Sequence, residues 1–223
     1  MPLDQFAIEK LSPERQQIHR QVTSLGCQFG SVASESIPAL IPELLPVFKD
    51  WFRGKHTTQR DLQTPAFHVA DLGRFSVGVV RSGGRILAFA SLVESAGKAE
   101  VSIELVRFIA NAPTGILDFV LVEAMVWANG QGYRTVNPGL APLRGLDRRN
   151  TPSRWNRFGA DLYRHGEHYS DFNELRRAKA RFAPRWDPRF ASSRPGLSLA
   201  RALPDLAKLV AGSSQAKAAR KAA

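Results

Sequence analysis

The chain has 223 residues, of which 43% are hydrophobic and 23% charged, an ordinary globular composition that excludes wholesale disorder. Its single cysteine, Cys27, excludes an intrachain disulfide and a cysteine-based zinc site. The net charge of +11 is uneven, because residues 1–133 hold 12 Lys/Arg against 13 Asp/Glu, whereas residues 134–223 hold 19 against 7. The basic half predicts an anionic partner, either nucleic acid or an acidic membrane surface.

Two further features bear on compartment. No apolar run reaches the roughly 18 to 20 residues that a membrane-spanning helix needs. The first residues lack the basic and apolar regions of a secretory signal. We therefore expect a soluble or peripheral protein on the cytoplasmic side of the membrane.

The first part of the chain carries two helix signals and a strand signal. Residues 12–25 are typical of a helix with a capping serine and an early proline. A short strand is predicted at 29–33. Residues 36–53 have apolar residues at helical spacing, but Pro42 and Pro46 lie inside this run. Because an internal proline removes a hydrogen bond and clashes with the preceding turn, we predict a helix that is kinked or split.

The middle of the chain predicts an antiparallel meander. Runs of strand-forming residues at 75–80 and 85–92 are separated by a turn with paired glycines, which favours a hairpin. A third run, 99–108, alternates between apolar and polar residues. This alternation predicts one face with Val101, Ile103, Leu105 and, as an open case, Arg107, and an opposite face with Ser102, Glu104 and Val106.

An apolar helix and a strand follow the meander. Residues 116–129 are too few to span a bilayer and predict a buried helix, and 133–136 predict a short strand. The order predicts an α+β fold with a mostly antiparallel central sheet flanked by helices. The remaining predicted segments are basic helices at 152–165 and 173–182, a last helix at 198–211 and a basic disordered tail at 213–223.

Several short segments occur in an order that is informative as a series. They are SIELVRF (102–108), NAPTGILDF (111–119), WANGQGY (127–133), GLAPLRGL (139–146), LYRHGEHY (162–169), LRRAKARF (175–182) and PRWDPRFAS (184–192). This series resembles the C-terminal catalytic region of the lysylphosphatidylglycerol synthases, also called phosphatidylglycerol lysyltransferases. The resemblance corresponds to the second acyltransferase half of that region.

The resemblance implies a fold, an activity and partners. The fold would be a GNAT-like acyltransferase domain at 36–212, preceded by an N-terminal helix and connecting segment at 1–35. The activity would be transfer of an amino acid from aminoacyl-tRNA to the head group of phosphatidylglycerol, without a cofactor, at the inner face of the cell membrane. A separate membrane-spanning partner would supply the membrane anchor, or a homodimer would replace the first half.

The resemblance also assigns candidate site residues. Glu104 and Arg107 match the motif whose acidic and basic residues line the active site, so they are the predicted catalytic residues. Glu104 stands where the family usually has Asp, and Arg181 stands where it has a second Lys. The residues predicted to bind substrate are His168, Arg176, Lys179 and Arg181.

Other interpretations of these residues stay open from the pattern alone. Glu104 and Arg107, three apart on a strand, would face opposite sides unless a bulge intervenes, and could form a surface salt bridge. The basic helix could be a solvated charge run. Asp118 and Glu123 are predicted to be capping or paired rather than catalytic. The histidines near His168 lack metal-site spacing, so no metal is predicted.

Two alternative functions remain at this stage. The altered motifs favour a catalytically impaired binding or regulatory module with the same fold. An acyltransferase that uses another acyl carrier is the other alternative. Coenzyme A is disfavoured as that carrier, because the loop Asn111–Gly115 has a proline and a single glycine where relatives that use it have a glycine-rich pyrophosphate loop.

Overall fold

The computed structural model describes residues 1–4, 6–53, 72–139, 179–182 and 185–187. The helices and strands are α1 (Pro13–Ser24), β1 (Gln28–Val32), α2 (Ile37–Arg53), β2 (Ser76–Ser82), β3 (Arg85–Glu94), β4 (Glu100–Phe108), α3 (Ile116–Gly130) and β5 (Thr135–Asn137). The predicted helices at 152–165 and 198–211, the tail at 213–223 and most of the helix predicted at 173–182 lie outside the described residues.

The strands form one sheet in the order β1-β2-β3-β4-β5. Neighbouring strands are antiparallel, except for β4 and β5, which run parallel. The parallel pairing is short, because it joins only Glu100–Ser102 to Thr135–Asn137. The predicted α+β class with a mostly antiparallel sheet is therefore confirmed, and β5 ends where this pairing ends.

The sheet separates two apolar clusters. One lies between the sheet and α3, whose buried residues surround most of the helix circumference. The other lies between the sheet and α2. Sheet residues of the α3 cluster are Val80, Ala88, Ala90, Leu92, Val101 and Ile103, and those of the α2 cluster are Val77, Val79, Ile86 and Phe89.

Residues on both sides of the predicted boundary at 35 contribute to the same core. Leu3 and Val22 are buried in the α3 cluster. β1 pairs along its length with β2. The domain boundaries at 35 and 212 stay predictions, and the described residues before position 36 pack as part of the sheet and its helices.

The prediction that α2 is split at its prolines is wrong, whereas the alternative of a kink stays a prediction. Pro42 and Pro46 lie inside one continuous helix of 17 residues. The physical reason is packing, since a stripe at helical spacing (Ile37, Leu40, Leu44 and Val47) is buried against the sheet. Burial of this stripe offsets the roughly 3 kcal/mol that an internal proline costs.

No helix in the described ranges has both the length and the apolar character needed to cross a bilayer. The predicted buried helix at 116–129 is confirmed as α3, which has 15 residues and a largely buried surface.

α1 approaches the start of α3 unusually closely at Gly115. This residue precedes α3 and adopts a left-handed backbone conformation with φ of 87°. A methyl group built at Gly115 would lie 2.4 Å from Cγ2 of Ile18 in α1. Only glycine allows both the backbone conformation and the contact between the two helices.

We expect Gly115→Ala to lower the free energy of unfolding by at least about 1–2 kcal/mol, because alanine is strained at positive φ and would also overlap Ile18. The measurement is urea unfolding followed by circular dichroism. Gly130→Ala is the matched control at the other end of α3, where a methyl group meets open space. Equal midpoints for the two variants would contradict the close approach.

Candidate functional site

An extra residue in β4 rearranges the middle of the sheet. Phe89 of β3 lies opposite Arg107, and Ser91 lies opposite Glu104. Arg107 is therefore three residues beyond Glu104 on β4, whereas their partners on β3 are only two residues apart. Leu105 sits inside this bulge with φ of 49°. A non-glycine residue in this region costs about 1–3 kcal/mol and commonly marks a functional site.

The bulge places Glu104 and Arg107 on the same face of the sheet. Residues that oppose each other across antiparallel strands share a face, and Phe89 and Ser91 are two apart on β3. Leu105 accordingly packs in the α2 cluster, whereas Val106 packs in the α3 cluster. The predicted strict alternation of faces is thus wrong after Glu104. The inserted residue moves each later residue of β4 to the face opposite the predicted one.

β5 ends opposite Ser102, just before the bulge in β4. Asn137 ends β5, and its side chain donates to Glu100 Oε1 at 3.3 Å and accepts from the Gly139 amide at 2.9 Å. Gly139 has φ of 86°. The chain therefore turns beside β4, and Gly139 lies next to Ile103 and Glu104.

Lys179 reaches β4 beside Gly139, past the end of β5. Its residue is only 6% exposed, although lysine is rarely buried without a partner. A methyl group built at Gly139 would lie 3.1 Å from Lys179 Nζ and 3.6 Å from Glu104 Oε1. Glu104 and Lys179 thus approach the same point beside Gly139, where β5 has ended and β4 continues, and we call this point the fork.

Glu104 and Lys179 modify each other's protonation. Burial raises the pKa of Glu104, and the charge of Lys179 opposes this rise. Burial lowers the pKa of Lys179, and the charge of Glu104 opposes this fall. Each group therefore favours the charged form of the other in a partly desolvated position, while Glu104 keeps an exposed surface.

Arg107 forms the neighbouring part of the same face. Its guanidinium carbon lies 3.9 Å from the ring centroid of Trp51 in α2, and Nη1 donates to the Val106 carbonyl at 2.8 Å. Only 9% of Arg107 is exposed. Stacking on an indole and a backbone hydrogen bond fix the orientation of the guanidinium. This contact of Trp51 was not predicted from the sequence.

A signal for Trp51 was present in the helix pattern. It follows Val47 by four residues and so continues the stripe of α2 that faces the sheet. The helix pattern could not show that Trp51 contacts Arg107, because the position of Arg107 on this face depends on the bulge.

The remaining predicted site residues are distributed differently. Arg181 points to α3, where its Nη2 donates to Asp118 Oδ2 at 2.8 Å. Arg176 and His168 lie outside the described residues. The structure thus places Glu104 and Arg107 on one face and brings Lys179 to Glu104, and it does not bring Arg181 to the fork. The substrate-binding roles stay predictions.

The two acidic residues of α3 are paired, as predicted. Asp118 contacts Arg181 at 2.8 Å and Arg15 at 4.0 Å. Glu123 Oε1 accepts a hydrogen bond from His19 Nε2 at 2.6 Å. Among the residues with described positions, no group of three or more potential metal ligands occurs.

A family model described as phosphatidylglycerol lysyltransferase, C-terminal, matches residues 2–192 of the chain. A phosphatidylglycerol lysyltransferase from Bacillus subtilis is 26% identical over 162 residues, covering 72% of this chain and 19% of that protein. The relative from Staphylococcus haemolyticus is 24% identical over 176 residues, covering 78% and 21%. The chain therefore spans about a fifth of the length of these curated relatives.

Two solved structures share the fold. The C-terminal domain of a protein named as a lysylphosphatidylglycerol synthetase from Agrobacterium fabrum has a TM-score of 0.75 and 32% identity, covering 95% of this chain and 64% of that chain. L-PGS from Bacillus licheniformis has a TM-score of 0.70 and 23% identity, covering 94% and 63%. The predicted GNAT-like α+β fold is confirmed.

Replacing the cation at the fork should change the titration of its carboxylate. We expect Lys179→Met to raise the pKa of Glu104, because burial remains and the opposing positive charge is lost. Carbon-detected NMR titration of the Glu104 carboxyl measures this shift. Lys10→Met, at an exposed position, is the control. An unchanged Glu104 titration in Lys179→Met would show that the two groups do not interact.

Proposed function

The chain belongs to the family of phosphatidylglycerol lysyltransferase C-terminal domains, and on that premise we propose that it is an aminoacyltransferase. It moves an amino acid from aminoacyl-tRNA to the head group of phosphatidylglycerol. The observation that carries the proposal is the approach of Glu104 and Lys179 to the same point at the fork, next to Gly139 and past the last paired residue of β5. We assign the acyl group to the charged side chains at this place.

The reaction needs a base for the acceptor alcohol. The hydroxyl oxygen of the lipid head group attacks the ester carbonyl of the aminoacyl-tRNA, and the ester bond to the terminal ribose breaks. The hydroxyl proton leaves the lipid and ends on the ribose oxygen. Glu104 is the group that takes and returns this proton, since its carboxylate has an exposed surface and burial raises its pKa toward the working range of a base.

Two cations on the same face stabilise negative charge. Lys179 lies beside Glu104 and favours its ionised form, and we assign its ammonium to the carbonyl oxygen that becomes negative. Arg107 is held on Trp51 at the other side of the bulge. A guanidinium fixed in this way binds the phosphate of the lipid head group or of the terminal adenosine.

The start of α3 supports a donor other than coenzyme A. Enzymes that bind a pyrophosphate at a helix N-terminus present free backbone N–H groups there. In this chain Ile18 packs closely on Gly115, and the first turn carries the carboxylate of Asp118. Both features disfavour a bound pyrophosphate at this helix.

The charge distribution supports two anionic partners. Residues 134–223 hold 19 Lys/Arg against 7 Asp/Glu, which suits a tRNA acceptor end together with an anionic lipid surface. We accordingly place the protein at the inner face of the cell membrane as a peripheral protein. A membrane-spanning partner or a second copy of the chain would complete the assembly.

The test is transfer by purified protein from charged tRNA to phosphatidylglycerol vesicles. We expect labelled lipid with the wild-type chain, and a loss of about 100-fold or more in Glu104→Gln, because the amide cannot accept the proton. Glu35→Gln is the control, since Glu35 is exposed and distant in the chain from the fork. Binding of tRNA and vesicles with no product from Lys-, Ala- or Arg-tRNA would instead support a binding module.

The pH profile supplies a separate prediction. The rate should fall as pH decreases through the pKa of Glu104, because the protonated carboxyl is no longer a base. Since burial raises this pKa, the acidic limb should lie above the ordinary value of 4.5. Measuring kcat/KM against pH checks this, with Glu35→Gln as reference. A profile that is flat on the acidic side would contradict the role of Glu104.

A further inference from the structure

The side chains of the segment 179–182 point in two directions. Lys179 is buried at the fork beside Glu104 and Gly139. Arg181 and Phe182 instead contact α1 and α3. A chain of four residues therefore links the candidate active site to the helices on the other face of the sheet.

The contacts at the helix end form a defined cluster. Arg181 Nη2 donates to Asp118 Oδ2 at 2.8 Å, and the Asp118 side chain is only 7% exposed. Arg15 lies with its guanidinium carbon 4.5 Å from the Phe182 ring centroid and its Nε 4.0 Å from Asp118 Oδ1. We call Arg15, Asp118, Arg181 and Phe182 the anchor.

We propose that Asp118 is a positioning residue for the aminoacyl transfer: by holding Arg181, it fixes where Lys179 stands beside Glu104. The rate effect rests on the proposed function, whereas the position of Lys179 does not. Arg181, predicted from the sequence to bind substrate, thereby acts through Lys179.

The flexibility of lysine makes such an anchor necessary. A lysine side chain has four rotatable bonds, and burying it removes much of its rotamer freedom. Its ammonium is placed reproducibly only if the backbone at Lys179 is fixed. The backbone is fixed two residues later by a charge-assisted hydrogen bond to α3.

α3 is a suitable support for this purpose. The helix is largely buried in the main apolar cluster, so Asp118 is carried by a rigid element. A site held by a rigid element keeps its geometry more accurately than one held by loops. The contacts of Asp118 with two arginines tie the same carboxylate to α1 and to the segment of Lys179.

The first test measures the Glu104 carboxyl by NMR titration in Asp118→Asn. We expect its pKa to rise as it does in Lys179→Met, because Lys179 no longer stands beside it. The direction is diagnostic, since removing the negative charge of Asp118 would by itself lower the pKa of Glu104. An unchanged or lowered pKa would overturn the proposal.

Glu123→Gln is the matched control. Glu123 lies on the same helix and pairs with His19 of α1 at 2.6 Å, but none of its described contacts leads to the segment of Lys179. We expect this variant to leave the Glu104 titration unchanged. Equal shifts in Asp118→Asn and Glu123→Gln would mean that Asp118 has only a general structural role.

A second variant covers the case in which Asp118→Asn does not fold. The Arg181 side chain is 43% exposed, so Arg181→Met disturbs the anchor from its open side. We expect Arg181→Met to raise the pKa of Glu104 by more in the wild-type background than in Lys179→Met, because it acts through Lys179. Equal effects in both backgrounds would overturn the proposal. Arg181→Lys, which keeps the charge, should preserve the wild-type titration.

The transfer assay adds the rate readout. We expect Asp118→Asn to lower kcat about 10- to 100-fold while the KM for charged tRNA changes little, because Lys179 is misplaced but substrate contacts remain. A change confined to KM would contradict positioning. If wild-type protein gives no product, the proposed function fails, while the titration experiments still decide the placement of Lys179.

Discussion

One inserted residue in β4 determines the composition of the candidate site. Without the bulge at Leu105, Glu104 and Arg107 would point to opposite faces of the sheet. With it, both lie on the α2 side, where Trp51 supports the arginine and Lys179 reaches the glutamate. The left-handed conformation of Leu105 is maintained because apolar packing on both faces of the sheet holds the strand on either side of it.

The fold could be predicted from the sequence where its elements have strong local signals. The paired glycines between β2 and β3 and the apolar run of α3 are such signals. The continuity of α2 could not be predicted, because the cost of Pro42 and Pro46 is local whereas the packing that offsets it belongs to the sheet. The bulge in β4 has no composition signal, since it contains an ordinary leucine rather than a glycine.

The candidate site was predicted by resemblance rather than by pattern. Strand alternation alone would have separated Glu104 from Arg107, and charge alone could not distinguish Lys179 from Arg181. The structure separates the two basic residues physically, because one is 6% exposed at the fork and the other pairs with Asp118 on α3. Two residues of the same charge, two positions apart, thus have different environments and support different roles.

The prolines of α2 have a consequence for the order of folding. A helix that contains Pro42 and Pro46 is unstable in isolation, so α2 has to form upon an existing sheet rather than before it. The pairing of β2 with β3 across the two-glycine turn joins residues that are close in the sequence, so this hairpin can form first. Because Trp51 lies near the end of α2, its indole ring comes to support the Arg107 guanidinium late in folding. We expect the packing of α2 and its Trp51 ring, rather than formation of the hairpin, to limit the rate at which the candidate site forms.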